Sequence, residues 1–200
     1  MTLAARKALA QNPEKSPRAP EEPADLYTAE FDFVWRNLRR LGVPAHQLED
    51  AAQDVFLIAH RRWDSYDPNR ASVQSWLFGI VLRVARGYRR TFRRRSAQLV
   101  WMGDERDVST PTSEQGPAEL VERRQSLALL DRLLQTIDEE KRAVLLLVDV
   151  EELSVIEAAE VLGVNLNTLY WRLRVARQAL KRALERTRLA EAHKLRGVPR

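Results

Sequence analysis

The sequence of 200 residues contains no cysteine, so disulfide bonds and thiolate metal sites are excluded. Its three histidines, His46, His60 and His193, lie far apart in the chain, which argues against a zinc site. No apolar run approaches the ~20 residues needed to cross a bilayer, and polar residues interrupt the N-terminus. We therefore expect a cytoplasmic chain with no membrane insertion, no metal and no other cofactor.

Signatures of catalysis are also missing. The sequence has no nucleophile elbow and no glycine-rich phosphate loop. Asp50 and Asp54 lie four residues apart, but such a carboxylate pair on an exposed helix is more often solvated or bound to a partner than catalytic. We expect the protein not to be an enzyme.

What the chain does contain is helical periodicity. Apolar residues recur at intervals of three and four, and no strand alternation is found. The pattern predicts an all-α fold of two small helical domains on a flexible acidic linker. The predicted parts are a disordered segment at 1–24, a first domain at 25–95, a linker at 96–116, a second domain at 117–187 and a basic tail at 188–200.

The second domain contains a helix-turn-helix pattern. Ser154 and Glu157 form a capping box that starts one helix, Gly163 ends it, and Asn165 caps the next. That next helix buries an apolar stripe and points amide, aromatic and guanidinium groups outward, as a helix that enters a major groove does. The alternative is an ordinary helical hairpin with a solvated basic face.

The third helix of the first domain, predicted from Ser72 to about Arg95, is strongly basic. Seven arginines fall between Arg83 and Arg95 without one carboxylate, a self-repelling run that calls for an anionic partner. A basic helix end stabilised by the helix dipole is the simpler explanation, but it covers only the last three arginines. A continuous line along the helix, which we call the basic stripe, comprises Ser72, Trp76, Gly79, Arg83, Arg86 and Arg90.

A different surface lies on the second helix, predicted from Gln47 to Arg62. Its outward face carries Asp50, Gln53, Asp54 and Leu57. An exposed leucine among charged and amide groups indicates a protein-binding patch. We call these four residues the acidic face.

These features together resemble the bacterial RNA polymerase sigma factors of the extracytoplasmic-function (ECF) group, which keep only sigma regions 2 and 4. The resemblance covers about 26–95 and 120–184. The motifs that carry it are EDAAQDVFLIAHRRW, SVQSWLFGIVLRVARGYRR, LLQTIDEEKRAVLLLVDVEELSVIEAAEVLGV and NTLYWRLRVARQAL. Their order and spacing around an acidic linker are highly specific.

The resemblance implies a role for each surface. The acidic face docks on the clamp helices of the largest polymerase subunit, and the flap of the second largest subunit is a further polymerase contact. Residues implied to bind the unpaired minus-ten strand are Tyr66, Asp67, Asn69, Arg70, Ser72, Trp76, Arg83, Arg86 and Arg90. Those implied to bind the minus-thirty-five element are Asn167, Thr168, Tyr170, Trp171, Arg172, Arg174 and Arg177. The remaining implied partners are promoter DNA and, in some members, an anti-sigma factor.

Four positions depart from the family pattern. Arg83 and Gly87 stand where asparagine and aspartate are common, and Trp171 and Val175 replace a small hydroxyl residue and a basic residue. We therefore expect unusual promoter preferences. Two other function classes stay open: a stand-alone dimeric helix-turn-helix regulator, and a helical scaffold without DNA, which leaves the basic stripe unexplained.

Overall fold

The chain folds into α-helices, and the computed structural model describes residues 23–101 and 118–196, with side chains for 25–94 and 126–190. Within these ranges there is no strand, which confirms the predicted all-α class. The helices are α1 (Pro23–Arg40), α2 (Leu48–Arg61), α3 (Val73–Trp101), α4 (Ala118–Gln135), α5 (Glu139–Leu145), α6 (Val155–Leu162) and α7 (Leu166–Arg196).

Helices α1 to α3 form an N-terminal unit. Each carries apolar residues at helical spacing, so each turns one stripe inward. Val34, Val55 and Phe78, one from each helix, are fully buried at the centre. The periodicity also predicts Tyr27 in this core, but its side chain is 50% exposed; it lies at the edge, with its ring centroid 4.8 Å from that of Phe56.

Helices α4 to α7 form a C-terminal unit whose turns follow the predicted capping chemistry. Ser154 and Glu157 make the reciprocal bonds of a capping box at the start of α6. Gly163 ends that helix with φ +62°, a left-handed conformation that glycine adopts without strain. The Oδ1 atom of Asn165 accepts a hydrogen bond from the backbone N–H of Thr168 at 2.8 Å and so caps α7.

A π-helical turn at Leu146–Val150 continues α5, and the acidic residues Asp149 within it and Glu151 just after it pair with different helices. Asp149 faces α7, where it pairs with Arg177. Glu151, two residues later, faces α1, where it pairs with Arg40. The turn therefore links α7 to the N-terminal unit.

The two units pack directly against each other and share one continuous hydrophobic core. Arg142 of α5 is 2% exposed and donates to the carbonyl oxygens of Arg40 and Leu41 at the end of α1, at 3.4 and 3.1 Å. It also donates to Gln135 and Ile137 of its own unit. A buried cation thus joins the carboxyl ends of helices from both units, where the helix dipole favours positive charge.

One predicted helix end was wrong. Helix α3 continues to Trp101 rather than ending near Arg95, because 96–101 contain no glycine or proline to stop it. Helix α7 continues to Arg196, within the segment predicted as a basic tail. Residues 1–22 of the predicted disordered segment and 102–116 of the predicted linker lie outside the described residues, while 23–24 already belong to α1.

Candidate nucleic-acid and polymerase interfaces

The acidic face is a continuous exposed surface on α2. Asp50, Gln53, Asp54 and Leu57 are all exposed, and Leu57 keeps 55% of its surface. Their spacing of three, one and three places them on one side of the helix. Leu57 points to solvent rather than into the core of the N-terminal unit, as the sequence indicated.

Tyr88 of α3 was missed by the sequence reasoning, although it fixes one member of this face. Its hydroxyl donates a hydrogen bond of 2.8 Å to Oδ2 of Asp54. Burial, and then the bond to Asp54, raise the pKa of Tyr88 to about 12. The phenol therefore stays protonated at neutral pH and holds the Asp54 carboxylate in one orientation. No local pattern in the sequence indicates this contact, because it joins two different helices.

The loop before α3 combines an exposed polar turn with an aromatic cluster. Asp67 accepts a hydrogen bond from the backbone N–H of Asn69 at 2.9 Å, the geometry of an Asx turn. Tyr66 and Trp76 pack with their ring centroids 5.2 Å apart, and Trp63 lies 6.1 Å from Trp76. Trp76 is thus a half-buried member of a cluster, not an isolated platform for a base.

Two arginines of the basic stripe region are already paired. Nε of Arg86 lies 2.7 Å from one oxygen of Glu139, and a terminal nitrogen of Arg89 lies 2.8 Å from the other. Glu139 belongs to the C-terminal unit, so one carboxylate bridges two guanidinium groups across the interface. Arg83 and Arg90 remain exposed on the same helix.

The recognition helix α7 presents a mixed surface. Asn167, Tyr170, Trp171 and Arg174 are exposed, with Tyr170 at 57% and Trp171 at 53%. Thr168 is half-buried at the capped end of the helix.

The two other predicted arginines are held within the C-terminal unit. Arg172 pairs with Glu140 at 2.6 Å, and Arg177 pairs with Asp149 at 2.6 and 2.9 Å. The hydrogen bonds that Arg177 donates to the carboxylate of Asp149 raise the pKa of Arg177. Sequence reasoning did not find these acidic partners, because they are distant along the chain.

A cleft of about 820 Å³ lies between the units. Arg89 and Arg93 of the N-terminal unit line one side of the cleft, and Glu140 and Trp171 of the C-terminal unit line the other. Among the described residues, no group of three acidic, histidine or cysteine side chains is placed to hold a metal ion. In the same part of the chain, no helix has the length and apolar character required to span a membrane.

Comparison with known proteins gives two family matches. The sigma-70 region 2 model matches residues 26–95, and the sigma-70 region 4 model matches residues 127–186. The RNA polymerase sigma factor CnrH of Cupriavidus metallidurans is 32% identical over 152 residues, which cover 74% of this chain and 78% of CnrH. The ECF RNA polymerase sigma factor RpoE of Cereibacter sphaeroides is 31% identical over 145 residues, 72% of this chain and 76% of RpoE.

Solved structures give the same fold. The structure of CnrH in complex with the cytosolic domain of CnrY matches with a TM-score of 0.58 and 25% identity, covering 82% of this chain and 87% of CnrH. The sigma factor RpoE of Bartonella quintana, in complex with the anti-sigma factor NepR, matches with a TM-score of 0.55 and 21% identity. The match covers 80% of this chain and 96% of the RpoE chain.

Proposed function

Because the chain belongs to the ECF family of RNA polymerase sigma factors, which act in transcription initiation, we propose that it directs core polymerase to promoters by binding two DNA elements. We assign the minus-ten element and the main polymerase contact to residues 25–95. We assign binding of the minus-thirty-five element to residues 117–187. The observation that carries the proposal is one chain with three separate surfaces of suitable chemistry, each on its own helix.

The acidic face supplies the polymerase contact in this proposal. Exposed carboxylates bind a basic partner, while Leu57 adds an apolar contact that becomes buried on docking. Tyr88 fixes the carboxylate of Asp54 beforehand, which lowers the cost of ordering it when the partner binds.

The loop before α3 and the basic stripe supply the minus-ten contact. Guanidinium groups bind phosphate oxygens in a forked geometry, so Arg83, Arg86 and Arg90 follow the backbone of a single strand. Asn69 and Arg70 are exposed at the turn beside the aromatic cluster. An unpaired base that enters this loop would gain stacking and hydrogen bonds that offset the few kcal/mol lost on unstacking.

The recognition helix supplies the upstream contact. Its exposed amide, aromatic and guanidinium groups are those that contact base edges and phosphates in a major groove. Trp171 adds a bulky indole at this surface, and we expect it to change the preferred sequence. The solved complex of CnrH with the cytosolic domain of CnrY also supports a second protein partner for this chain, which we expect to be an anti-sigma factor.

The test is run-off transcription with purified core polymerase, followed by mapping of the start sites. Wild-type chain should make initiation selective, and the double variant Asp50→Arg, Asp54→Arg should abolish both selectivity and co-purification with core polymerase. A matched control reverses two exposed acids on α1, Asp25→Arg with Asp32→Arg, and should leave both properties intact. If wild-type chain leaves core polymerase no more selective than it is alone, the proposed function is wrong.

A further inference from the structure

We propose that Asp149 is a positioning residue for DNA binding: it orients the guanidinium group of Arg177 so that this group binds a backbone phosphate at the edge of the major groove. This inference rests on the proposed role of α7 in binding the upstream element. Asp149 itself lies outside α7, in the π-helical turn after α5.

The contact between the two side chains is bidentate. Nε of Arg177 lies 2.9 Å from Oδ2 of Asp149, and the terminal nitrogen Nη2 lies 2.6 Å from Oδ1. Two parallel hydrogen bonds fix the plane of a guanidinium group as well as its position. A long side chain on a helix surface otherwise populates many rotamers, so the pair removes freedom that DNA binding would have to remove.

The donors that remain free in this pair lie at the tip of the arginine. A guanidinium group has five N–H donors, and Asp149 accepts from one on Nε and one on Nη2. The other N–H of Nη2 and the two of Nη1 form a second fork, which matches the geometry of a phosphate. The side chain of Arg177 is 57% exposed despite the pair, so this fork can be reached from solvent.

The position of Arg177 along α7 points to a phosphate rather than to a base edge. Spacings of three, four and three place four residues on one side of the helix: Asn167, Tyr170, Arg174 and Arg177. Arg177 lies ten residues after Asn167, which is about 15 Å along the helix axis. The major groove is about 12 Å wide, and the first residues of a recognition helix contact its bases. Arg177 therefore lies where the sugar-phosphate backbone borders the groove.

Asp149 can maintain this orientation because its backbone is anchored in the core. In its π-helical turn the N–H of Glu151 donates to the carbonyl oxygen of Leu146 at 2.9 Å. Leu146 and Leu147 are fully buried. Turns of this kind are rare and occur mostly at functional sites. The carboxylate is thus presented to α7 from a rigid support.

Two possible effects of Asp149 on DNA binding have opposite signs. A carboxylate near DNA repels phosphates, so its removal should tighten binding if Asp149 acts only through its charge. Removal of a positioning residue should weaken binding, because the DNA must then order the arginine. The sign of the change in affinity therefore distinguishes the two effects.

The experiment uses the full chain assembled with core polymerase. Fluorescence anisotropy reports binding of a labelled duplex that carries the upstream element of a promoter whose start site has been mapped. Arg177→Ala should weaken binding and lower the log-log salt slope by about 0.9, the value for one lost phosphate contact.

Asp149→Ala should weaken binding about 2-fold to 12-fold, which corresponds to the cost of ordering one long side chain. Asp149→Asn keeps one acceptor oxygen, and its affinity should lie between those of wild type and Asp149→Ala. The matched control is Glu185→Ala, which removes the same charge from an exposed position of α7, eight residues after Arg177. This control should bind at least as tightly as wild type.

A double-mutant cycle tests whether Asp149 acts through Arg177. In the Arg177→Ala background, Asp149→Ala should no longer weaken binding. A purely structural role would weaken binding equally in both backgrounds and would lower the melting temperature. We expect melting temperatures close to wild type by circular dichroism, because an exposed ion pair adds little to stability.

The inference is overturned if Asp149→Ala binds the duplex as tightly as wild type or more tightly, if it weakens binding equally with and without Arg177, or if Arg177→Ala leaves the salt slope unchanged. Transcription assays with the wild-type chain separate the two claims. Selective initiation combined with any of these results would remove the role of Asp149 and leave the proposed function standing. A wild-type chain without selectivity would remove the proposed function instead.

Discussion

Arg142 offers the most direct test of how the two units are joined. Its guanidinium group is almost completely buried and makes five hydrogen bonds of 2.7 to 3.4 Å, to Arg40 and Leu41 in the N-terminal unit and to Gln135 and Ile137 in its own unit. Burial lowers the pKa of Arg142 to about 10, so the group remains protonated at neutral pH. We expect Arg142→Ala to remove this cation and leave its acceptors without their partner.

The magnitude follows from those acceptors. Each buried oxygen left without a donor costs about 1–3 kcal/mol, but water can enter the space that alanine leaves. We therefore expect a total loss of about 3–5 kcal/mol in the free energy of unfolding, as for a broken buried ion pair. Proteins of this kind are stable by only about 5–15 kcal/mol, so the loss is a large part of the total.

The assay is urea denaturation at pH 7, followed by circular dichroism and by tryptophan fluorescence. Coincident transitions in wild type would show that the units unfold together. Arg142→Lys keeps the positive charge but not the forked guanidinium group. Its free energy of unfolding should lie between those of wild type and Arg142→Ala. Arg132→Ala, an exposed arginine of α4, is the control. A loss of under about 1 kcal/mol for Arg142→Ala, equal to the control, would refute the role of this residue.

Two further predictions concern single side chains. Arg174→Ala should weaken binding to the upstream element by about 1–3 kcal/mol, the value of a bidentate base contact, as measured by titration of duplex DNA. Glu30→Gln should raise the melting temperature at pH 7, by about 2–4 °C for each kcal/mol recovered. Burial raises the pKa of Glu30, so the folded state holds its proton more tightly and loses stability as the pH rises from 4.5 through the raised pKa. The glutamine keeps an oxygen that accepts the bond from Gln74.

Each of these two predictions could be contradicted by a specific result. An equal loss on scrambled duplex DNA would show that Arg174 contacts only phosphate. For Glu30, the difference in melting temperature between wild type and variant should vanish below pH 4.5, where the carboxyl is protonated in both states. A difference that persists at acidic pH would show that packing, and not the desolvated charge, is responsible.

Local features of the fold could be predicted because they depend on neighbouring residues. The capping box of Ser154 and Glu157, the left-handed turn at Gly163 and the cap at Asn165 all formed as expected. Each needs only a few residues of sequence to specify it. The end of α3 was missed because the apolar period fades after Arg95, although no residue before Trp101 breaks the helix.

Contacts between the units could not be predicted, because they join residues about a hundred positions apart. Glu151 meets Arg40 across 111 positions, and Arg142 meets Leu41 across 101. No local pattern selects one pair from many alternatives. Most of the candidate residues are exposed in the structure, but the sequence did not indicate which of them are already paired inside the chain.

The basic stripe shows how the two kinds of information combine. A run of arginines without carboxylates was predicted to require an anion, on the ground that like charges repel. The structure contains such an anion in Glu139, from the other unit of the same chain. The internal carboxylate relieves the repulsion between Arg86 and Arg89. The long-range contact therefore determines which arginines of the run are already paired, while Arg83 and Arg90 remain exposed.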